Sequence, residues 1–274
     1  MAEQEQQPVL QFENVTVSFD QVKALDNVSF EAPQGEARVV LGAAGSGKTV
    51  LLKTALGLVK PQSGTVRLFG RDISRLDEKQ LFEVRSKIGM LFQESALFDS
   101  LDIEENVAYP LVNQTAIRCP EEKIRPRVEE ALRFVELEHT IDKFPSELSG
   151  GMRRRVAIAR AVVTEPPLVL YDSPTAGLDP ITAHTIIALI VKERDLAKTT
   201  TLLVTHRYQD GNLVANFRYN PESGRLEPAN GHGPRVRTTF MVLHEGRLVF
   251  EGDQEALEAS PDPYISRFVK HINR

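Results

Sequence analysis

Residues 42–49 constrain the fold of this 274-residue chain more than any other segment. They match the pattern G-x-x-x-x-G-K-[ST], in which a glycine-rich loop wraps around phosphate groups. The apolar residues 39–41 come directly before the loop, and residues 50–56 after it favour a helix and contain no helix breaker. A strand, a glycine loop and a helix in this order are the context that the motif requires. The pattern therefore predicts an α/β core built around a phosphate-binding loop.

The residue types in this loop indicate how it would bind phosphate. Glycine lets backbone N–H groups approach a ligand without interference from a Cβ atom. The helix start adds unsatisfied donors and the positive end of a dipole. Lys48 offers a mobile charge for the β- and γ-phosphates, and the Thr49 hydroxyl is a ligand for Mg²⁺. The predicted phosphate-binding residues are Gly42, Ala43, Ala44, Gly45, Ser46, Gly47, Lys48 and Thr49.

Composition excludes some functions. The formal net charge of −5 argues against a nucleic-acid binder that depends on bulk positive charge. The single cysteine, Cys119, excludes an intrachain disulfide. The sequence contains no apolar run of membrane-spanning length, and its acidic, polar N-terminus is unlike a secretory signal. We therefore expect a cytoplasmic protein that only another subunit could hold at a membrane.

The order of secondary-structure signals predicts two further regions. Strand-forming residues at 9–12, 15–19 and 28–31 predict an antiparallel sheet before the core, with Phe19 as a core phenylalanine. Residues 94–147 change to helical patterns, with a helix from 101 that Pro110 interrupts and an amphipathic helix at 125–137. These residues predict a helical insertion rather than more sheet.

Three polar residues come at the ends of predicted buried strands. Gln93 follows residues 88–92, Asp172 ends residues 168–172, and His206 ends residues 201–206. Ligands bind at this edge of an α/β sheet, although each residue alone could be a structural strand end. An apolar strand that ends in aspartate is the Walker B pattern, in which the carboxylate binds Mg²⁺.

Residues 148–161 predict a second anion-binding helix start. Ser149 is a suitable N-cap, and Gly150 and Gly151 leave backbone donors accessible at the helix N-terminus. The arginine run at 153–155 is typical of a solvated helix face.

In this order and combination, the motifs resemble the ATPase subunit of ABC transporters over nearly the whole chain. The resemblance implies a P-loop NTPase core of ABC ATPase type, with an N-terminal antiparallel β subdomain and a helical subdomain. It also implies ATP and Mg²⁺ as ligands. The resemblance implies that Phe19 stacks on adenine, that Gln93 senses Mg²⁺ and the attacking water, and that Asp172 binds Mg²⁺. It implies that Ser149, Gly150 and Gly151 contact the γ-phosphate in the partner's site. Residues 176–179, which include Asp179, would be the D-loop, and His206 the switch histidine.

The resemblance implies an ABC ATPase domain at residues 8–255 and a C-terminal helical tail at 256–274. The helical subdomain would span 94–165. Residues 207–238 exceed the short link usual in the family, and we interpret them as a surface decoration rather than a regulatory contact.

The implied partners are a second ATPase subunit, identical or different, in a head-to-tail dimer, and a membrane permease that would hold the chain at the inner face of the membrane. Residues 148–152 match the family's signature loop. Met152 at its fifth place, and residues 97–100, look like the ATPases of Mce-associated, Mla-type lipid transporters, which would add an Mce-type substrate-binding partner. The rival interpretation, a non-transport ABC protein, fits poorly with one motif set and no heptads.

Ser173 departs from the family, which places glutamate directly after the Walker B aspartate. A serine hydroxyl cannot accept a proton from water at neutral pH, and general-base help is worth about 10²–10⁴-fold in rate. Gln93 and His206 could support slow turnover, or a partner subunit could supply a complete site. Alternatively, Ser173 was introduced to trap bound nucleotide, or the chain is a hydrolysis-impaired, ATP-dependent switch.

Overall fold

The computed structural model describes residues 8–114, 116–229 and 236–270. Its strands are β1 (Leu10–Phe19), β2 (Val22–Ala32), β3 (Ala37–Leu41), β4 (Ser63–Leu68), β5 (Arg71–Asp72), β6 (Ile88–Leu91), β7 (Leu168–Asp172), β8 (Thr200–Thr205), β9 (Phe217–Asn220), β10 (Arg225–Pro228), β11 (Thr238–His244) and β12 (Arg247–Gly252). Its helices are α1 (Lys48–Ala55), α2 (Glu78–Arg85), α3 (Ile103–Asn113), α4 (Glu121–Phe134), α5 (Gly150–Val162), α6 (Pro180–Ala197), α7 (Tyr208–Asn216), α8 (Gln254–Glu258) and α9 (Pro263–Lys270).

The predicted N-terminal antiparallel sheet is confirmed, with strand order β2-β1-β4-β5. The two short strands expected at 9–12 and 15–19 are a single strand, β1. Its pairing with β2 shifts register between Phe12 and Val15, and Asn14 adopts a left-handed φ of 50° there. An irregularity of this kind lets one strand continue through a local kink.

The second sheet positions the predicted site. Its order is β12-β11-β3-β8-β7-β6, and every pairing from β11 to β6 is parallel. All residues of β3, β7 and β8 are buried, as expected for strands covered on both faces. Because parallel strands end at the same edge, the loops after β3, β6, β7 and β8 meet there. The predicted α/β fold, with an antiparallel sheet before a parallel core, is confirmed.

The helices α3, α4 and α5 pack against one another as a helical region beside this sheet. Asp102 caps α3 through a capping box with Glu105. The expectation that Pro110 interrupts this helix is wrong, because α3 continues to Asn113 and buries Val107 and Leu111 on one face. None of the helices in the described residues combines the length and apolar character that crossing a membrane requires.

The segment interpreted as a surface decoration, residues 207–238, contains two different structures. Its first part is α7, which contributes Tyr208 and Val214 to the main hydrophobic core. Its second part is a hairpin of β9 and β10, which packs against α6. Arg194 of α6 donates to the carbonyl oxygen of Phe217 over 2.9 Å. Residues 230–235 of this segment, and residues 271–274 of the predicted tail, lie outside the described part of the chain.

One buried acid in α6 makes stability depend on pH. Glu193 is 6% exposed, and burial, reinforced by the charge of Glu165, raises the pKa of its carboxyl to about 7 from an ordinary value of 4.5. Between these two pH values the folded chain binds more protons than the unfolded chain. The contribution of Glu193 to the free energy of unfolding is therefore fully present below pH 4.5 and is lost as pH rises towards 7.

We expect Glu193→Gln to stabilise the protein above neutral pH, because the amide removes the cost of a buried charge. The gain at pH 8 should reach up to about 3 kcal/mol and shrink to below about 1 kcal/mol at pH 5. Urea unfolding at both pH values measures it. Glu130→Gln, at an exposed position on α4, is the matched control and should change neither value. An equal effect of Glu193→Gln at both pH values would contradict this account.

Candidate nucleotide-binding site

The loop between β3 and α1 adopts a conformation that its glycines permit. Gly47, the N-cap of α1, has a φ of 107°, and a Cβ atom there would lie 2.3 Å from the carbonyl oxygen of Ala24. No other residue type fits without moving the backbone. The tight turn brings the loop and the first N–H groups of α1 to the sheet edge, where they can bind an anion.

Lys48 extends back into its own loop. Its side-chain nitrogen donates to the carbonyl oxygens of Gly42 at 2.7 Å and Ala43 at 2.8 Å. The residue is 9% exposed, and burial lowers the pKa of its ammonium group. The nearby negative charge of Asp172 partly offsets this lowering. A buried cation with a mobile stem is therefore placed where the loop would hold a polyphosphate.

Asp172, at the end of β7, accepts hydrogen bonds from two hydroxyl groups. Thr49 Oγ1 donates to one carboxylate oxygen over 3.0 Å, and Ser173 Oγ donates to the other over 3.3 Å. Carboxylate and hydroxyl oxygens are ligands that Mg²⁺ prefers. The adjacent Thr49 and Asp172 oxygens therefore fit a magnesium ion that a bound nucleotide would share.

A cavity of about 670 Å³ opens at this edge of the sheet. It unites most of the predicted phosphate and catalytic residues, which come from the ends of four parallel strands. Its predicted members are Ala43, Ala44, Gly45, Lys48, Thr49, Gln93, Ser173 and His206. Their convergence follows from the parallel order of β3, β8, β7 and β6.

The predicted second anion site does not line this cavity. Ser149 caps α5, with its Oγ accepting from the N–H of Met152 at 3.3 Å. A Cβ atom on Gly151 would lie 2.6 Å from Thr182 Cγ2, whereas one on Gly150 would meet nothing within 4 Å. The start of α5 is exposed, so its free donors are available to a ligand held by another molecule.

Asp179 and Phe19 also lie outside the cavity lining, as do three of the predicted loop residues, Gly42, Ser46 and Gly47. Asp179 is the N-cap of α6 and accepts from the N–H groups of Ile181 and Thr182, both at 3.0 Å. Phe19 is 51% exposed at the end of β1, so its interpretation as a core phenylalanine is wrong. Its exposed ring is available for stacking.

The prediction of a solvated arginine face is wrong for Arg154. This side chain is 6% exposed and donates to the backbone carbonyl oxygens of Phe92 and Gln93. These hydrogen bonds connect α5 to the segment that contains Gln93. Its spacing contained a signal, because Arg154 lies four residues before Ile158 and seven before Ala161, both of which are buried on the same helix stripe.

Sequence reasoning missed the contribution of α9. Tyr264, Arg267 and Phe268 of this helix line the cavity. The Tyr264 hydroxyl accepts from the N–H of Ala43 at 3.2 Å, and its ring stacks on His244 with centroids 3.7 Å apart. No local pattern indicates that the end of the chain returns to the loop that follows β3.

The comparisons with known proteins agree with this geometry. Residues 25–176 match the family model described as ABC transporter. The probable ribonucleotide transport ATP-binding protein mkl of Mycobacterium leprae is 35% identical over 260 residues, covering 95% of this chain and 68% of that protein. The intermembrane phospholipid transport system ATP-binding protein MlaF of Haemophilus influenzae is 32% identical over 264 residues, covering 96% of this chain and 91% of MlaF.

A solved structure extends the comparison. The ATP-binding cassette MJ0796, a dimer in a post-hydrolysis state bound to ADP and Pi, superposes with a TM-score of 0.74 and is 30% identical. The match covers 89% of this chain and 98% of that one.

Replacing Lys48 with alanine should weaken ATP binding by about tenfold to a hundredfold, because a charged hydrogen bond is worth about 1.5–3 kcal/mol. Titration with a fluorescent ATP analogue measures the dissociation constant. Lys53→Ala removes an exposed lysine from the same helix and should leave the constant unchanged. Equal affinities of the wild type and Lys48→Ala would refute the loop assignment.

Proposed function

The chain belongs to the ABC transporter family as an ATP-binding subunit, and on this premise we propose that it couples ATP binding and hydrolysis to lipid transport through a separate membrane permease. The observation that supports this most is the cavity in which Lys48, Thr49, Gln93 and His206 converge. It combines phosphate binding with groups suited to sense the γ-phosphate.

Two copies in head-to-tail contact would complete two ATP sites. The exposed Gly150 and the half-buried Gly151 at the start of α5 lie outside the cavity of their own chain, so their free N–H groups would contact the γ-phosphate in a partner's cavity. The dimeric state of the similar ATP-binding cassette supports this arrangement. ATP binds the closed pair more tightly than the open pair, and this difference in affinity drives closure.

The lipid assignment rests on the relatives. MlaF is named for phospholipid transport and mkl for ribonucleotide transport. The match covers 91% of MlaF and 68% of mkl, so the likeness to MlaF extends over more of the relative, and it supports the lipid assignment. An Mce-type protein would deliver or receive the lipid, and the permease would hold this subunit at the cytoplasmic face.

The cavity residues divide the chemistry among them. Lys48 and the loop N–H groups bind the β- and γ-phosphates, and His206 donates to the γ-phosphate as negative charge develops. Gln93 orients the attacking water. Thr49 and Asp172 would hold Mg²⁺, which when bound neutralises the transferring phosphate group. Hydrolysis removes the charge that joins the two halves and lets them open.

Ser173 supports a slow ATPase. Its hydroxyl donates to Asp172 over 3.3 Å and is 8% exposed, so it offers water no proton acceptor of suitable basicity. The site therefore binds ATP well and activates water poorly. A subunit of this kind keeps its dimer closed for long periods and acts in part as an ATP-dependent switch.

We expect Ser173→Glu to raise steady-state Mg-ATP turnover by about 10²-fold, because it restores a general base beside the attacking water. Ser173→Gln is the matched control, since it has similar size and polarity without a basic carboxylate, and it should not raise the rate. If Ser173→Glu is no faster than the wild type, another group activates the water and the switch proposal fails.

A further inference from the structure

We propose that Asp210 is a positioning residue for ATP hydrolysis that joins the loop after β7 to the loop after β8. This inference rests on the proposed ATPase function and adds a residue that none of the site motifs contains. Asp210 lies in the first turn of α7, four residues after His206. It does not line the cavity, so it acts through its neighbours rather than on the nucleotide.

One carboxylate oxygen of Asp210 accepts hydrogen bonds from both loops. Thr175 Oγ1 donates to Oδ2 over 2.6 Å, and Thr205 Oγ1 donates to the same oxygen over 2.7 Å. The other oxygen, Oδ1, lies 3.8 Å from Arg207 Nε. Short hydrogen bonds to an ionised carboxylate are the stronger kind, and here a single atom fixes the separation of two chain segments.

Because the three side chains are buried, breaking either hydrogen bond to Asp210 would destabilise the protein. Asp210 is 2% exposed, and Thr175 and Thr205 are each 1% exposed. Burial raises the pKa of the Asp210 carboxyl, while the two hydroxyl donors and the charges of Arg207 and His206 lower it. A buried carboxylate that lacks hydrogen-bond donors costs free energy. The folded protein therefore favours the one geometry in which both loops donate to Asp210.

The first loop carries position 173. The N–H of Ala176 donates to the carbonyl oxygen of Ser173 over 3.0 Å, and the N–H of Leu178 donates to that of Thr175 over 3.2 Å. Thr175 is thus the middle of a compact turn. Moving Thr175 would move Ser173 and Ala176, which both line the cavity.

The second loop carries the histidine. Thr205 directly precedes His206, and its Oγ1 also accepts the N–H of Arg207 over 3.0 Å. The Thr205 side chain thus links the backbone before His206, to which it belongs, with the backbone after it, and its hydroxyl donates to Asp210. Because Ser173 provides no general base, hydrolysis depends on how accurately His206 faces the γ-phosphate, and Asp210 sets that placement relative to position 173.

The test uses near-isosteric changes at the two threonines. We expect Thr175→Val and Thr205→Val each to lower kcat by about tenfold, with the dissociation constant for Mg-ATP within about twofold of wild type. Thr175→Ser and Thr205→Ser retain the hydroxyl and should recover most of the rate. In an Asp210→Asn background, the valine changes should have much less than their separate effect.

Thr201→Val is the matched control. Thr201 lies in the same strand as Thr205 and is equally buried at 1% exposure, but its hydroxyl has no hydrogen-bond partner among the described residues. This variant should hydrolyse ATP at the wild-type rate. The inference is overturned if Thr205→Val behaves like Thr201→Val, or if the serine variants are as slow as the valine variants.

Hydrogen exchange separates this inference from the proposed function. In Asp210→Asn, backbone amides of residues 173–179 and 205–207 should exchange faster together, with nucleotide affinity retained. The exchange experiment tests the junction at Asp210 and does not depend on turnover. A wild type with no measurable turnover would contradict the proposed ATP hydrolysis but not the junction. Unchanged exchange in both loops would overturn the inference whatever the turnover.

Discussion

Parallel pairing of buried strands is the constraint on which the rest of the structure depends. Leu41 pairs with Thr205, and Asp172 pairs with Val204, so β3, β7 and β8 end level with one another. This register places the phosphate loop, the Walker B carboxylate and His206 at one edge. A shift by one residue would turn the buried side chains of these strands to the opposite face, so packing of the core also sets the geometry of the site.

The same fold divides the nucleotide site into two parts. The cavity lining gathers cationic, amide and hydroxyl side chains, and two of its hydroxyl groups, those of Thr49 and Ser173, donate to the Asp172 carboxylate. The residues at the start of α5 do not line it. Arg154 connects the two parts within a chain, because it lies on α5 and bonds the backbone at Gln93. A nucleotide bound by one copy and contacted by α5 of another would thus be coupled to the Gln93 segments of both copies. In the function that we propose, the site binds ATP well and Ser173 limits the hydrolysis that follows.

Local patterns are sufficient to predict the phosphate loop, the strand that ends in Asp172 and the α/β core, because each depends on neighbouring residues. The role of His206 follows only from the combination of motifs, because a histidine at a strand end can equally be structural. The charge of residues 153–155 predicts a solvated face, whereas the helical spacing of Arg154 from Ile158 and Ala161 indicates its burial. The return of Tyr264 to the loop after β3, and the junction at Asp210, join residues far apart in sequence. Such contacts depend on the completed fold and leave no local signal. Phe19 was placed in the core although its strand end is exposed.

The most direct test of the divided site is sedimentation of the purified chain with and without Mg-ATP, beside Gly150→Asp. An aspartate at the first position of α5 suits the helix dipole, and a Cβ atom there would meet no neighbouring atom within 4 Å, but the carboxylate would repel a partner's γ-phosphate. The account predicts an ATP-dependent dimer for the wild type, and a variant that binds ATP but stays monomeric. A wild-type chain that remains monomeric when saturated with ATP, or a variant that dimerises equally well, would contradict it.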